Sequence, residues 1–276
     1  MNKDENKKNR PIGIFDSGIG GLSVLKSLRK ALPTESFVYL GDTARLPYGT
    51  KSKNTIVQYA RQAAKALIKH DIKLLVIACN TATALALSEV QNDFHIPIIG
   101  VIEPSVKLAS RTTQNKHIAL IATEATVSSG CYERVIKSHL PQATVTAKSC
   151  GLLVSLAEEG FLNHSITEDA FRYYMQPIFA LNQQPDCLIL GCTHFVFLYD
   201  VIKKVIDGRM KIIDSADSTA NEVKAYLQAH HLENTGHSGG KITYLVTDHS
   251  ERFLRIASLF ANEKINKDDF HHIDIL

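Results

Sequence analysis

The chain has 276 residues, 45% of them hydrophobic and 21% charged, a composition ordinary for globular proteins and a length sufficient for two domains or one large α/β domain. Its net charge is +3, and the first ten residues, MNKDENKKNR, carry +2 of it through Lys3, Lys7, Lys8 and Arg10 against Asp4 and Glu5. The body is therefore nearly neutral, which excludes the broad basic field of a nucleic-acid binder, and no apolar run reaches the roughly 18–20 residues of a membrane span.

Residues 1–11 read as a solvated, flexible tail, with no apolar stretch behind the charges to make a secretion signal. After it, apolar runs predict strands over 12–16, 36–41, 73–78, 97–101, 117–122, 143–148, 186–191, 211–213 and 241–247. Between them, helical periodicity covers 21–31, 53–69, 82–92, 126–139, 167–181, 196–206 and 216–230. The polar stretch 230–240 reads as a surface loop, followed by the last strand and a terminal helix in SERFLRIASLFA. Runs such as LLVIA (74–78) and CLILG (187–191) lack in–out alternation and fit strands buried on both faces of a parallel sheet. Strand–helix alternation along the whole chain predicts an open α/β architecture.

A second pattern overlies the first. KLLVIACNT (73–81) is echoed by DCLILGCTH (186–194), and IGIFDS…KALP (12–33) by IALIAT…SHLP (118–141), at shifts of similar size. The expected architecture is two similar lobes, each a mainly parallel sheet flanked by helices, with equivalent strand ends facing one cleft. The crossings fall near GVIEP (100–104), where Pro104 resets the backbone, and near IIDSAD (212–217). Lobe one is then 12–103 plus 215–276, and lobe two 104–214.

In such sheets ligands bind beyond the carboxyl ends of the strands. Four polar motifs fall there: Asp16-Ser17, Pro47-Tyr48-Gly49, Cys79-Asn80-Thr81 and Cys192-Thr193-His194. A lone cysteine at a strand end is most simply a small buried hydrophobe. Two at equivalent points of a repeat, each where a helix begins, suggest thiols activated by helix N-termini and facing each other. Such a pair suits proton removal from one face of a carbon and delivery to the other. Cys131, Cys150 and Cys187 lack these features and read as packing residues; reduced thiols in a cytoplasmic protein are expected, without a disulfide framework.

Asp16 is either a helix cap or an acidic partner for a substrate ammonium group. Asn80, Thr81 and Thr193 are positioned to take carboxylates. His194 could tune or protonate the second thiol, or be a hydrogen-bonded residue near the surface. The turn Gly18-Ile19-Gly20-Gly21 has the wrong spacing for a dinucleotide fingerprint and lacks the Lys-Ser/Thr of a P-loop, leaving a tight turn whose N–H groups could hold a carboxylate. Zinc is poorly supported, with neither C-x-x-C nor H-E-x-x-H present.

Together, FDSGIGGLSVL (15–25), LGDTARLPYG (40–49), ACNTATA (78–84), ATEATVSSGCYERVI (122–136), GCTH (191–194) and SERFLRIA (250–257) resemble the glutamate racemase family, from Ile12 to about Ala261. The resemblance implies an isomerase that interconverts L- and D-glutamate without cofactor or metal and supplies D-glutamate for peptidoglycan. It implies Cys79 and Cys192 as the paired acid/base residues, with Asp16, Glu158 and His194 in support. It further implies Asp16, Ser17, Pro47, Tyr48, Gly49, Asn80, Thr81, Thr126, Thr193 and His194 as substrate-binding residues. Glu158 matches the family's acidic residue in LVSLAEEG, but this chain has Gly151 and Ser155 where the family commonly has prolines. Glutamate is the expected partner, without nucleic acid or membrane, and a homodimer is the assembly considered. Rival readings are aspartate or hydantoin racemisation, cofactor-free decarboxylation, or a small-molecule or nucleotide-binding protein without catalysis.

Overall fold

A computed structural model describes residues 7–236, 239–248, 251–261 and 267–275. Two fully parallel sheets organise the chain. The larger contains β1 (Ile12–Asp16), β2 (Phe37–Gly41), β3 (Leu74–Ile77), β4 (Ile98–Gly100), β9 (Ile242–Val246) and β10 (Phe270–His272), in the order β10-β9-β2-β1-β3-β4. The smaller contains β5 (His117–Ala122), β6 (Thr144–Ser149), β7 (Cys187–Gly191) and β8 (Lys211–Ile213), in the order β6-β5-β7-β8. The segment β2-β1-β3-β4 thus recurs as β6-β5-β7-β8, the topological form of the sequence echo. In each unit the chain leaves the first strand to one side and returns to the other. That switch point opens a crevice at the carboxyl ends of β1 and β3, and again at those of β5 and β7.

The helices are α1 (Leu22–Ala31), α2 (Lys53–Ile68), α3 (Asn80–Asp93), α4 (Ile102–Thr112), α5 (Glu124–Ser128), α6 (Cys131–His139), α7 (Gly151–Glu158), α8 (Ser165–Phe179), α9 (Tyr199–Ile206), α10 (Ser215–Ala229) and α11 (Glu251–Ala261). Side chains fix several starts: Asp214 accepts the N–H groups of Ala216 and Asp217 at 2.9 and 3.1 Å, and the Thr123 hydroxyl accepts that of Thr126. One apolar cluster joins Ile14 and Val76 of the larger sheet to Ile121 and Leu190 of the smaller, through Leu22 and Leu25 of α1 and Ala220 and Val223 of α10. Separate clusters cover the outer faces, under α2 and α3 on one sheet and under α4 and α6 on the other. Both sheets are therefore covered on both faces, as the uninterrupted apolar strands require.

The fold class is as expected, but several elements depart from the periodicity. Pro104 does not break the chain: it is the third residue of α4, where the N–H it lacks has no acceptor within the helix. The single helix expected over 126–139 is two, divided at Gly130, which adopts a left-handed backbone with φ of 62°. The helix expected from 196 is a 3-10 turn, Thr193–Leu198, followed by α9. The helix α7 and the short strand β10 were not expected. Residues 1–6 of the tail and 237–238 of the polar loop lie outside the described residues. From Lys8 onward the tail is held: the Lys8 carbonyl accepts from Lys73 Nζ at 2.7 Å, and Arg10 pairs with Asp71 at 3.0 Å. No helix among the described residues is long and apolar enough to cross a membrane.

Candidate active site

A cavity of about 430 Å³ opens where the two switch points meet. From the larger sheet it receives Ser17 after β1, Pro47, Tyr48 and Gly49 from the loop after β2, and Cys79, Asn80 and Thr81 after β3. The smaller sheet contributes Thr123 after β5, Ser149 at the end of β6, and Cys192, Thr193 and His194 after β7. Glu158 of α7, together with Gly151, Leu152, Val154 and Ser155 of that helix, and Tyr174 of α8 also line it. Two predicted residues do not line it. Asp16 is fully buried beneath the floor, and Thr126 is fully buried behind Thr81 and Thr123.

Cys79 caps α3, its Sγ accepting the N–H of Ala82 at 3.4 Å, and Cys192 precedes the 3-10 turn. Both thiols are almost wholly buried, and they are close enough for charge on one to act on the other. The expectation that a helix start lowers the Cys79 pKa is overturned. Burial pushes this thiol up to about 12, and the charge of Asp16 adds to it. The Ser17 hydroxyl and one weak N–H···S contact recover only part of the loss. Desolvating a whole charge outweighs the partial charge of a helix terminus.

Cys192 has a different neighbourhood. Its Sγ is 3.8 Å from His194 Nδ1, and His194 Nε2 lies 3.2 Å from Glu158 Oε1, within ion-pair range though not aligned as a hydrogen bond. Burial opposes a charged imidazole, but the sulfur of Cys192 and the carboxylate of Glu158 outweigh it and raise His194 to about 10. A cation is thus held against one thiol, while the other stands near a carboxylate.

Asp16 Oδ2 accepts the N–H of Gly18 at 3.0 Å; Oδ1 is buried without a hydrogen-bond partner among the described residues. Burial raises the Asp16 pKa, partly offset by N–H groups of the glycine turn and by His194. Asn80 Oδ1 accepts the Tyr132 hydroxyl at 2.6 Å, which leaves its buried Nδ2 without an acceptor among the described residues. Asn80 as a residue lines the cavity. Tyr48 lines the cavity, its ring packs between Phe15 and Tyr59, and its hydroxyl is engaged by Asp42, which does not line the cavity.

The two halves touch beside the cavity. Thr81, Thr123 and Thr126 close a ring of hydroxyls at 3.0, 3.1 and 2.9 Å. The glycine turn serves close approach: a Cβ on Gly20 would stand 2.2 Å from Thr193 Oγ1 and 2.9 Å from His194 Nδ1. Cys131, Cys150 and Cys187 do not line the cavity. Sequence reading missed Thr123, Ser149 and Tyr174. The shift of 106 that relates Ile12 to Ile118 also carries Ser17 onto Thr123, so the repeat held that residue in plain view. Tyr174, inside a long helix, had no such signal.

The profile of the Asp/Glu/hydantoin racemase family matches residues 12–223. Among similar proteins, the glutamate racemase of Geobacter metallireducens is 41% identical over 256 residues, covering 93% of this chain and 94% of that one. That of Persephonella marina is 43% identical over 255 residues, covering 92% and 95%. Among solved structures, glutamate racemase from Francisella tularensis in complex with D-glutamate superposes with a TM-score of 0.89 at 37% identity, covering 97% of this chain and 98% of the other. A glutamate racemase isoform from Bacillus anthracis gives a TM-score of 0.91 at 31% identity, covering 97% and 98%. The aspartate racemase of Picrophilus torridus, at 18% identity and a TM-score of 0.56, shares the fold.

Proposed function

The chain belongs to the Asp/Glu/hydantoin racemase family, and from that premise we propose that it racemises glutamate with Cys79 and Cys192 as opposed acid/base residues. The reaction is a cofactor-independent isomerisation that supplies D-glutamate for peptidoglycan. We take residues 12–103 with 215–276 as one lobe and 104–214 as the other, and a cytoplasmic setting in which the thiols stay reduced. The observation that carries the reading is a pair of buried thiols at equivalent strand ends of two matching sheets, both lining one cavity.

In one direction the thiolate of Cys192, beside the His194 cation, removes the Cα proton. The C–H bond breaks, an S–H bond forms, and the electron pair passes to Cα and its carboxylate. Cys79, held as a neutral thiol, delivers its proton to the opposite face. The other enantiomer uses the same two groups in reverse. The N–H groups at the start of α3 and the side chain of Asn80 meet the charge that grows on the carboxylate. Each ~1.4 kcal/mol of such stabilisation is tenfold in rate. Asp16, Glu158 and His194 support the reaction by charge; Ser17, Pro47, Tyr48, Gly49, Thr81, Thr126 and Thr193 shape the substrate site.

The test is incubation with L-glutamate in D2O, reading D-glutamate and Cα deuterium together. The wild-type chain should form both, while Cys79→Ala and Cys192→Ala should each lose racemisation. A Cys79→Ala enzyme racemising near the wild-type rate overturns the two-thiol reading. Parallel incubations with aspartate and hydantoins separate the sister activities.

A further inference from the structure

The loop that brings Pro47, Tyr48 and Gly49 to the cavity is gripped from behind by a carboxylate that does not line it. Asp42 follows β2 and is fully buried. Its side chain accepts the Tyr48 hydroxyl, the Thr247 hydroxyl at 2.9 Å, and Arg45 Nε at 2.7 and 3.0 Å, while its N–H donates to the Asp16 carbonyl at 3.0 Å. Arg45 is fixed in turn by Gln62 and by the ring of Tyr59, 4.0 Å from the guanidinium carbon. The Tyr59 ring stands 5.7 Å from that of Tyr48.

We propose that Asp42 is a positioning residue for the reaction: by holding Tyr48 and Arg45 it sets where the Tyr48–Gly49 segment stands against the substrate. This rests on the reading of the cavity as the glutamate site. The grip reaches the substrate wall by contact. Tyr48 forms part of that wall, and Gly49 lies so close to Thr123 that a Cβ would sit 2.7 Å from its Cβ. Thr123 is bonded to Thr81, next but one to Cys79. The loop is therefore braced at one end by Asp42 and at the other by the opposite half of the molecule. A displaced wall holds the substrate less well without touching the reacting groups, so the loss falls on KM rather than on kcat. Thr247, after β9, extends the grip to the strand that pairs with β2, which gives the carboxyl-terminal strands a part in shaping the site.

Asp42→Asn and Tyr48→Phe should each raise KM for glutamate about tenfold, with kcat within about threefold of wild type. The double variant should be no worse than Asp42→Asn alone, because both remove one linkage. Asp186→Asn, which loosens a clasp on Thr113, Gln114 and Asn115 far from the cavity, should lower Tm and leave KM unchanged. If Asp42→Asn does not fold, Thr247→Val removes one hydroxyl from the same carboxylate and should raise KM about threefold. Protection of Cys79 and Cys192 from alkylation by glutamate reads the same shift without turnover. A wild-type chain that glutamate does not protect defeats the functional reading, whereas normal protection in Asp42→Asn, or in Thr247→Val if that variant must serve, defeats this one. A double variant whose losses multiply also overturns it.

Discussion

At the scale of single residues, two chemically identical thiols occupy unlike surroundings. Cys79, buried near Asp16, is pushed up to about 12, while His194 beside Cys192 is raised to about 10 by the sulfur and by Glu158 against the opposing effect of burial. The imidazole binds its proton more tightly folded than unfolded, where it titrates near 6.5. Its contribution to stability is fully present below pH 6.5 and is lost as pH rises to about 10. The urea midpoint of the wild type should therefore fall over that window more steeply than that of His194→Asn. Equal slopes would remove the cation from Cys192 and with it the asymmetry of the pair. Asn80 offers a second test. A hydrogen bond to a charged group is worth about 1.5–3 kcal/mol, so Asn80→Ala should lower kcat/KM for glutamate ~10–100-fold in steady-state kinetics.

At the scale of elements, glycine positions decide how closely the pieces meet. Adding a methyl at Gly20 drives it into Thr193 and His194, so Gly20→Ala should lower stability by about 1–3 kcal/mol, as overpacking does. It should also lower kcat more than tenfold, because the displaced ring is the one that serves Cys192. Retained activity at unchanged stability would mean that Thr193 and His194 yield without consequence. This is also where sequence legibility ran out. Of the nine readable strands, β1, β2, β3, β5 and β7 were plainest, as apolar runs wholly buried between helix layers, and the four polar motifs were readable because ligands bind at strand ends beside a switch point. The helix α4 was hidden by Pro104, whose effect depends on its being third in the helix rather than mid-helix. The strand β10 has three residues, and only its pairing with β9 reveals it. Asp42 was legible as part of a motif, but its role depends on Thr247, 205 residues away.

At the scale of the molecule, duplication places two switch points face to face, and the same arrangement governs how the chain unfolds. Two lobes with separate cores would melt in two steps. Here the apolar cluster under α1 and α10 contains strand residues of both sheets, and the threonine ring ties the halves beside the cavity. Leu25, nearly fully buried in that shared cluster, tests the point. Leu25→Ala should cost about 2–5 kcal/mol and shift a single urea transition, identical by far-UV circular dichroism and by Tyr fluorescence. Glutamate, contacting both halves, should move that whole transition upward by about 2.7 kcal/mol at a hundred times its dissociation constant. Two separated transitions, with glutamate moving only one of them, would mean that the ligand is held by one half alone, and two thiols contributed by different halves could not then share a substrate carbon.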